Sequence, residues 1–232
     1  MTLHDALLDA WALLSPVECT GCAAADRSLC ADCSGALVPH AATVSAVGGL
    51  GVASALRYEL RVRRVILAFK EHDRTDVALV LAVPLAHAVR AVIAAVPPGG
   101  GMPELALVPT SRAAYRRRGY DPVRLLVRRA GGRPQRVLLP ARAKGTQKTL
   151  GLEQRAANLR GAFVASRPLD GRRFVIVDDI LTSGATISEA ARAIVAAGGE
   201  VVGAATIAFT PRLFPFRDIA SSEDYGGAKG AQ

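Results

Sequence analysis

Aromatic residues are scarce in this 232-residue chain, at 5% with a single Trp. Its core must therefore be built from Ala, Val, Leu and Ile. Stacking platforms for nucleic acid bases are also few, Tyr115 and Tyr120 being the ones near basic residues. Cysteine is confined to Cys19, Cys22, Cys30 and Cys33. The first apolar run, Leu3–Leu14, lacks a basic start and is interrupted by His4, Asp5 and Asp9, so no secretory signal peptide is legible. Val77–Val96 is nearly all apolar but carries Pro84, His87 and Arg90. A central Arg costs about 2.5–3.5 kcal/mol in bilayer insertion, which favours a buried helix kinked near Pro84 over a membrane span. The expected setting is the cytoplasm, with no membrane partner. Half of the residues are apolar and 21% are charged, which excludes wholesale disorder.

Acidic residues are nearly absent from one region. Residues 111–160 hold 14 Lys/Arg against Asp121 and Glu153, a local net of +12 in a chain of net +9. The rest of the chain therefore sums to −3. One concentrated basic segment implies either a specific anionic partner or a solvated basic face.

The cysteines follow C-x2-C-x7-C-x2-C. Two such knuckles bring four thiolates within reach of one tetrahedral ion, which suits structural Zn2+. A four-ligand site is closed, so its role is to fold a short, core-poor segment. An iron centre and a pair of disulfides are the alternatives.

Hydrophobic spacing predicts alternating elements. Helices are expected at Leu3–Leu14, Val62–Lys70, Asp76–Val96, Tyr120–Ala130, Leu152–Leu159 and Ile187–Ala197. Strands are expected at Val52–Tyr58, Leu105–Val108, Val137–Leu139, Phe174–Val177 and Val201–Phe209. Gly145–Leu150 reads as a loop. The order argues for an α/β domain with a mostly parallel sheet flanked by helices.

The most informative stretch runs Phe174-Val175-Ile176-Val177-Asp178-Asp179-Ile180-Leu181-Thr182-Ser183-Gly184-Ala185-Thr186. A buried strand delivers two carboxylates at its C-terminal edge, a small-residue loop follows, and then a helix starts. Hydroxyls, close backbone approach at Gly184 and a helix N-terminus suit a phosphate monoester. Thr186-Ile187-Ser188-Glu189 also fits a capping box. All thirteen positions resemble the 5-phosphoribosyl-1-pyrophosphate (PRPP) motif of type I phosphoribosyltransferases. The resemblance implies that Asp178 and Asp179 bind the ribose hydroxyls, and that Thr182, Ser183, Gly184, Ala185 and Thr186 hold the 5′-phosphate. Hypoxanthine-guanine enzymes place an Asp where this chain has Thr182, which argues against a 6-oxopurine substrate.

Val108-Pro109-Thr110-Ser111, Arg118-Gly119-Tyr120, Gln147–Phe163 and Ile66–Lys70 are similar to the ComF family, whose members carry a four-cysteine zinc module before a type I phosphoribosyltransferase domain. By that resemblance Thr110, Ser111 and Arg112 bind the pyrophosphate carried with Mg2+, and Lys144–Arg155 supplies a mobile cover. The implied catalytic set is Asp178, Asp179 and Arg112. The implied layout is residues 1–40 for the N-terminal helix and zinc module, 41–212 for the phosphoribosyltransferase domain, and 213–232 for a disordered tail. Three functions follow as expectations: phosphoribosyl transfer to an unidentified acceptor, linked to DNA uptake; a non-catalytic PRPP sensor that binds single-stranded DNA through the basic segment; and nucleobase salvage.

Overall fold

The computed structural model describes residues 17–25, 27–40, 42–97, 99, 101–141 and 160–211. The expected helices Leu3–Leu14 and Leu152–Leu159, the loop Gly145–Leu150, the cover Lys144–Arg155 and the tail from 213 lie outside these residues.

The described chain runs α1 (Ala31–Gly35), β1 (Thr43–Val47), β2 (Leu50–Arg57), α2 (Leu60–Glu71), a 3-10 turn (Thr75–Val77), α3 (Ala78–Ala94), β3 (Glu104–Leu107), α4 (Arg112–Arg118), α5 (Pro122–Arg129), β4 (Pro134–Gln135), β5 (Leu138–Pro140), β6 (Phe163–Ala165), β7 (Arg173–Leu181), α6 (Ala185–Val195) and β8 (Glu200–Phe209). Six strands form one sheet in the order β1-β2-β8-β7-β3-β4. All neighbours are parallel except β1 and β2, which form an antiparallel hairpin. β5 and β6 pair as a separate antiparallel ribbon.

Two apolar layers sandwich the sheet. Val65, Ile66 and Phe69 of α2, Leu81 and Leu85 of α3, and Leu126 of α5 pack with Val175 and Val177 on one face. Ile187, Ala190 and Ile194 of α6 pack with Phe174 and Ile176 on the other, together with Leu138 and Phe163 of the ribbon. β7 is thus covered on both sides, which explains its continuous apolar run. The segment Thr75–Ala94 has the length and composition of a membrane span, with mean hydropathy 2.1, yet half of it is buried in the fold. Leu81, Leu85, Ala88 and Val92 supply its inward stripe.

Several elements differ from the sequence reading, with β4 and β6 among the strands it did not expect. The Arg-rich stretch Arg112–Arg118 is a short helix, N-capped by Ser111 Oγ, which accepts from the Ala114 N–H at 3.2 Å, and ended by Gly119 at φ 74°. Thr43–Val47 adds an antiparallel edge strand. α6 begins at Ala185 after Gly184, so the expected capping box does not form. Glu189 instead accepts from the Phe163 N–H at 3.2 Å and pairs with Arg192 at 2.7 Å, stitching β6 to α6.

Candidate functional site

Asp178 and Asp179 sit near the C-terminal end of β7, on the central strand pair with β8. Consecutive strand residues ordinarily face opposite sides. Here the alternation slips across the acids. Val175 and Val177 belong to the α2–α3 layer and so does Ile180, whereas Phe174, Ile176 and Leu181 belong to the α6 layer. Asp178 and Asp179 stand between these two patterns, and the charges of both act on Lys70.

Each carboxylate has one oxygen engaged. Asp178 Oδ1 accepts the Asp179 N–H at 2.8 Å, and Asp179 Oδ2 lies 2.7 Å from Lys70 Nζ. Asp178 Oδ2 and Asp179 Oδ1 have no partner among the described residues. A carboxylate accepts at both oxygens, so the pair offers two neighbouring acceptors, a match for a vicinal diol. Burial, reinforced by the Asp179 charge and Asp121, pushes the Asp178 carboxyl up to about 7 against the counter-pull of Lys70.

The loop after β7 presents Thr182 and Ser183 to solvent and turns through Gly184 at φ 76°. A Cβ at Gly184 would lie 2.6 Å from Val47 Cγ1 of the β1–β2 hairpin. The position thus requires glycine both for its backbone and for its space. Gly184→Ala is expected to cost about 1–3 kcal/mol of stability and to displace the loop, seen as a lower denaturant midpoint. Thr186 lies in the first turn of α6, and its hydroxyl has no cap bond to make.

β3 lies beside β7, with the Val108 N–H donating to the Val177 carbonyl at 3.1 Å. Thr110, Ser111 and Arg112 therefore leave the sheet at the same edge as the acid pair. Thr110 and Arg112 open onto a cleft of about 850 Å³ that also holds Tyr115, Arg116, Asp121 and Arg136. The acid pair and residues 182–186 do not line that cleft. Sequence order alone does not reveal Asp121, whose Oδ1 caps α5 by accepting the Arg124 N–H at 3.0 Å and whose charge reaches Asp178. The pair Asp121-Pro122 signals the cap, but nothing local signals the reach of its charge to Asp178.

The four cysteines converge, all ligand atoms lying within 4.8 Å of one another. Cys22 and Cys30 Sγ are 3.6 Å apart, close to the roughly 3.8 Å edge of a tetrahedron with metal–sulfur bonds of about 2.3 Å. Burial raises the Cys19 thiol, but N–H donors from Cys30, Gly21 and Cys22 outweigh it and bring it down to about 6. The cluster thus fits a structural metal. It is fixed to the sheet domain by Arg74, which donates to the Glu18 and Ser28 carbonyls at 3.2 Å each, and by Arg64, which donates to the Gly21 carbonyl at 3.4 Å. Gly21 packs so tightly that a Cβ would fall 2.6 Å from Cys33 Sγ.

The phosphoribosyl transferase domain family matches residues 136–218, from the ribbon through β8. A stretch of 61 residues is 41% identical to the DNA utilization protein YhgH of Escherichia coli strain K12, covering 26% of this chain and 27% of that protein. The same protein of Salmonella typhi is 39% identical over 61 residues. With the four-cysteine cluster, these matches support a ComF-type protein. The chain carries the type I phosphoribosyltransferase fold behind its cysteine cluster. The aligned stretch spans about a quarter of the length of these curated relatives. The orotate phosphoribosyltransferase of Mycobacterium avium is 31% identical over 117 residues, 47% of this chain and 59% of that enzyme. Among solved structures, the adenine phosphoribosyltransferase of Leishmania tarentolae aligns at TM-score 0.34 and 15% identity over 63% of each chain. The orotate phosphoribosyltransferase of Aeropyrum pernix aligns at 0.33 and 16%, over 76% of this chain and 77% of that one.

Proposed function

We propose that this ComF-type protein binds PRPP at the β7–α6 junction and transfers its phosphoribosyl group to a nitrogen acceptor. The observation that carries the reading is the pair of free carboxylate oxygens on Asp178 and Asp179, followed directly by a hydroxyl-rich turn into a helix N-terminus. The acids receive the ribose 2′- and 3′-hydroxyls. Residues Thr182–Thr186 receive the 5′-phosphate, so both ends of the sugar are held and C1 is presented in one orientation. The acceptor lone pair forms the new bond to C1 as the C1–O bond breaks, and the electron pair departs on pyrophosphate. Thr110, Ser111 and Arg112 stabilise that leaving group from the neighbouring strand edge. Mg2+ bound to pyrophosphate would neutralise part of its charge. The cysteine cluster holds structural Zn2+, and the protein works in the cytoplasm. We retain the division into an N-terminal module to residue 40, a catalytic domain from 41 to 212 and a tail beyond.

The test is PRPP-dependent pyrophosphate release, screened against nucleobases, ammonia and single-stranded DNA. Release with one acceptor class identifies the reaction, nucleobases alone marking salvage. Binding without release in any arm would show a PRPP sensor.

The pH dependence follows from the acid pair. Ribose hydroxyls donate to ionised carboxylates, so PRPP affinity is expected to rise with pH through about 7, the range in which Asp178 ionises. Folding stability has the opposite slope. The folded state keeps the Asp178 proton between 3.8 and about 7, where the unfolded chain has lost it, so this group's contribution declines as pH rises through that window. Calorimetric titration at several pH values checks the first trend, and thermal melts check the second.

A second reading has its own observation. Arg112, Arg116 and Arg136 share the 850 Å³ cleft with Tyr115, and no acid pairs with these arginines among the described residues. The DNA utilization relatives make single-stranded DNA the partner to test there. Neutralising Arg112, Arg116 and Arg136 together is expected to flatten the log–log salt slope of DNA binding by about 2, at roughly 0.7 per phosphate contact.

A further inference from the structure

The last turn of α2 is held over β7 by three consecutive residues. The Phe69 carbonyl accepts from Tyr120 Oη, Lys70 pairs with Asp179, and Glu71 pairs with Arg117. Only the middle contact reaches the acid pair. The Lys70 and Asp179 side chains are 21% and 19% exposed, so their contact at 2.7 Å is shielded from most of the solvent. Burial alone would lower the Lys70 ammonium, but the charges of Asp179 and Asp178 outweigh it and hold Lys70 above its usual value, with a smaller pull from Tyr58. The Asp121 charge also raises Asp178, as the smallest of the causes acting on it. Without Lys70, the two adjacent carboxyl groups would have no cation opposite them in these contacts.

We infer that Lys70 is a positioning residue for the ribose site, pinning one oxygen of Asp179 so that the other faces the diol beside the free oxygen of Asp178. This rests on the proposed reading of the acid pair. The geometry divides the labour: the Asp179 N–H fixes Asp178, Lys70 fixes Asp179, and one oxygen of each remains for the sugar. Lys70 acts through Asp179, since it engages Oδ2 and leaves Oδ1 for the sugar. Its charge also offsets the repulsion between the acids and so holds the Asp178 carboxyl lower than burial and Asp179 alone would leave it.

The test compares Lys70→Met, Lys70→Gln and Lys70→Arg with the unaltered protein. One readout is the 13C carboxyl titration of Asp178 and Asp179, which needs no ligand. The other is PRPP affinity as a function of pH. An opposite charge at this range moves a carboxyl by about 1–3 units. Lys70→Met and Lys70→Gln are therefore expected to raise the upper midpoint of the pair by at least about one pH unit. PRPP affinity at pH 7 should fall about fivefold as the ionised fraction drops, and recover near pH 8.5. Lys70→Arg should restore the midpoint and most of the affinity. Lys70→Gln keeps a donor without charge, so it guards against a Met variant that folds poorly. A midpoint unchanged within about 0.3 unit in folded Lys70→Gln would overturn the inference. A shifted midpoint in a protein that never binds PRPP would overturn the ribose reading instead, while upholding the hold of Lys70 on the acids.

Discussion

Removing the metal proposed for the cysteine cluster, by chelation or by Cys33→Ala, is expected to lower the thermal midpoint by at least about 6–12 °C and to weaken PRPP binding with it. Cys33 is fully buried, and Leu37, four residues on, is 1% exposed within the core layer that holds α2. Structural zinc supplies about 10–16 kcal/mol of apparent binding energy to small modules, and a domain of this size loses roughly 2–4 °C per kcal/mol. Loss of even about 3 kcal/mol gives the stated shift. The effect reaches the acid pair through α2. Arg64 of that helix and Arg74 beyond its end both bond module carbonyls, and Lys70 lies between them. Differential scanning calorimetry with metal analysis checks the first part, and PRPP titration of the stripped protein checks the second. Gly21→Ala should reproduce a milder form of both, because its Cβ would push on Cys33 Sγ.

The double replacement Asp178→Asn, Asp179→Asn is expected to reduce PRPP affinity by more than about 100-fold with little loss of fold. Two hydrogen bonds to charged acceptors are at stake, each worth about 1.5–3 kcal/mol. Stability should change little at pH 8, because relief of an Asp178 carboxylate that ionises there against burial and a neighbouring charge offsets the loss of the Lys70 ion pair. A large loss of binding at little change in stability separates a ligand site from a structural polar pair. Removing a structural pair would lower stability and leave binding unchanged. Isothermal titration at pH 8 and thermal melts of the same preparations give both numbers.

What the sequence disclosed was what lies close together along the chain. Phe174–Thr186 carries strand, acids, turn and helix start in one stretch, and the structure keeps them contiguous as β7 and α6. The cysteine spacing likewise contains its own geometry. The contacts that shape the site are distant in sequence. Lys70 meets Asp179, and Val47 closes on Gly184. No local pattern encodes these meetings, because sheet order sets them. The capping box at Thr186–Glu189 failed for a related reason. Gly184 takes a left-handed turn and starts the helix early, and Glu189 is drawn to β6 instead. The Arg112–Arg118 helix was hidden because a run of charge has no apolar period, and none of its residues is buried.

The central claim is that PRPP binds at the C-terminal edge of β7. The most direct measurement is amide chemical-shift mapping as PRPP with Mg2+ is titrated into the isotopically labelled protein. The account predicts saturable shifts at Asp178–Thr186 and at Thr110–Arg112, abolished in the Asp178→Asn, Asp179→Asn protein. Shifts confined to the arginines of the 850 Å³ cleft, or none at millimolar ligand, would contradict it.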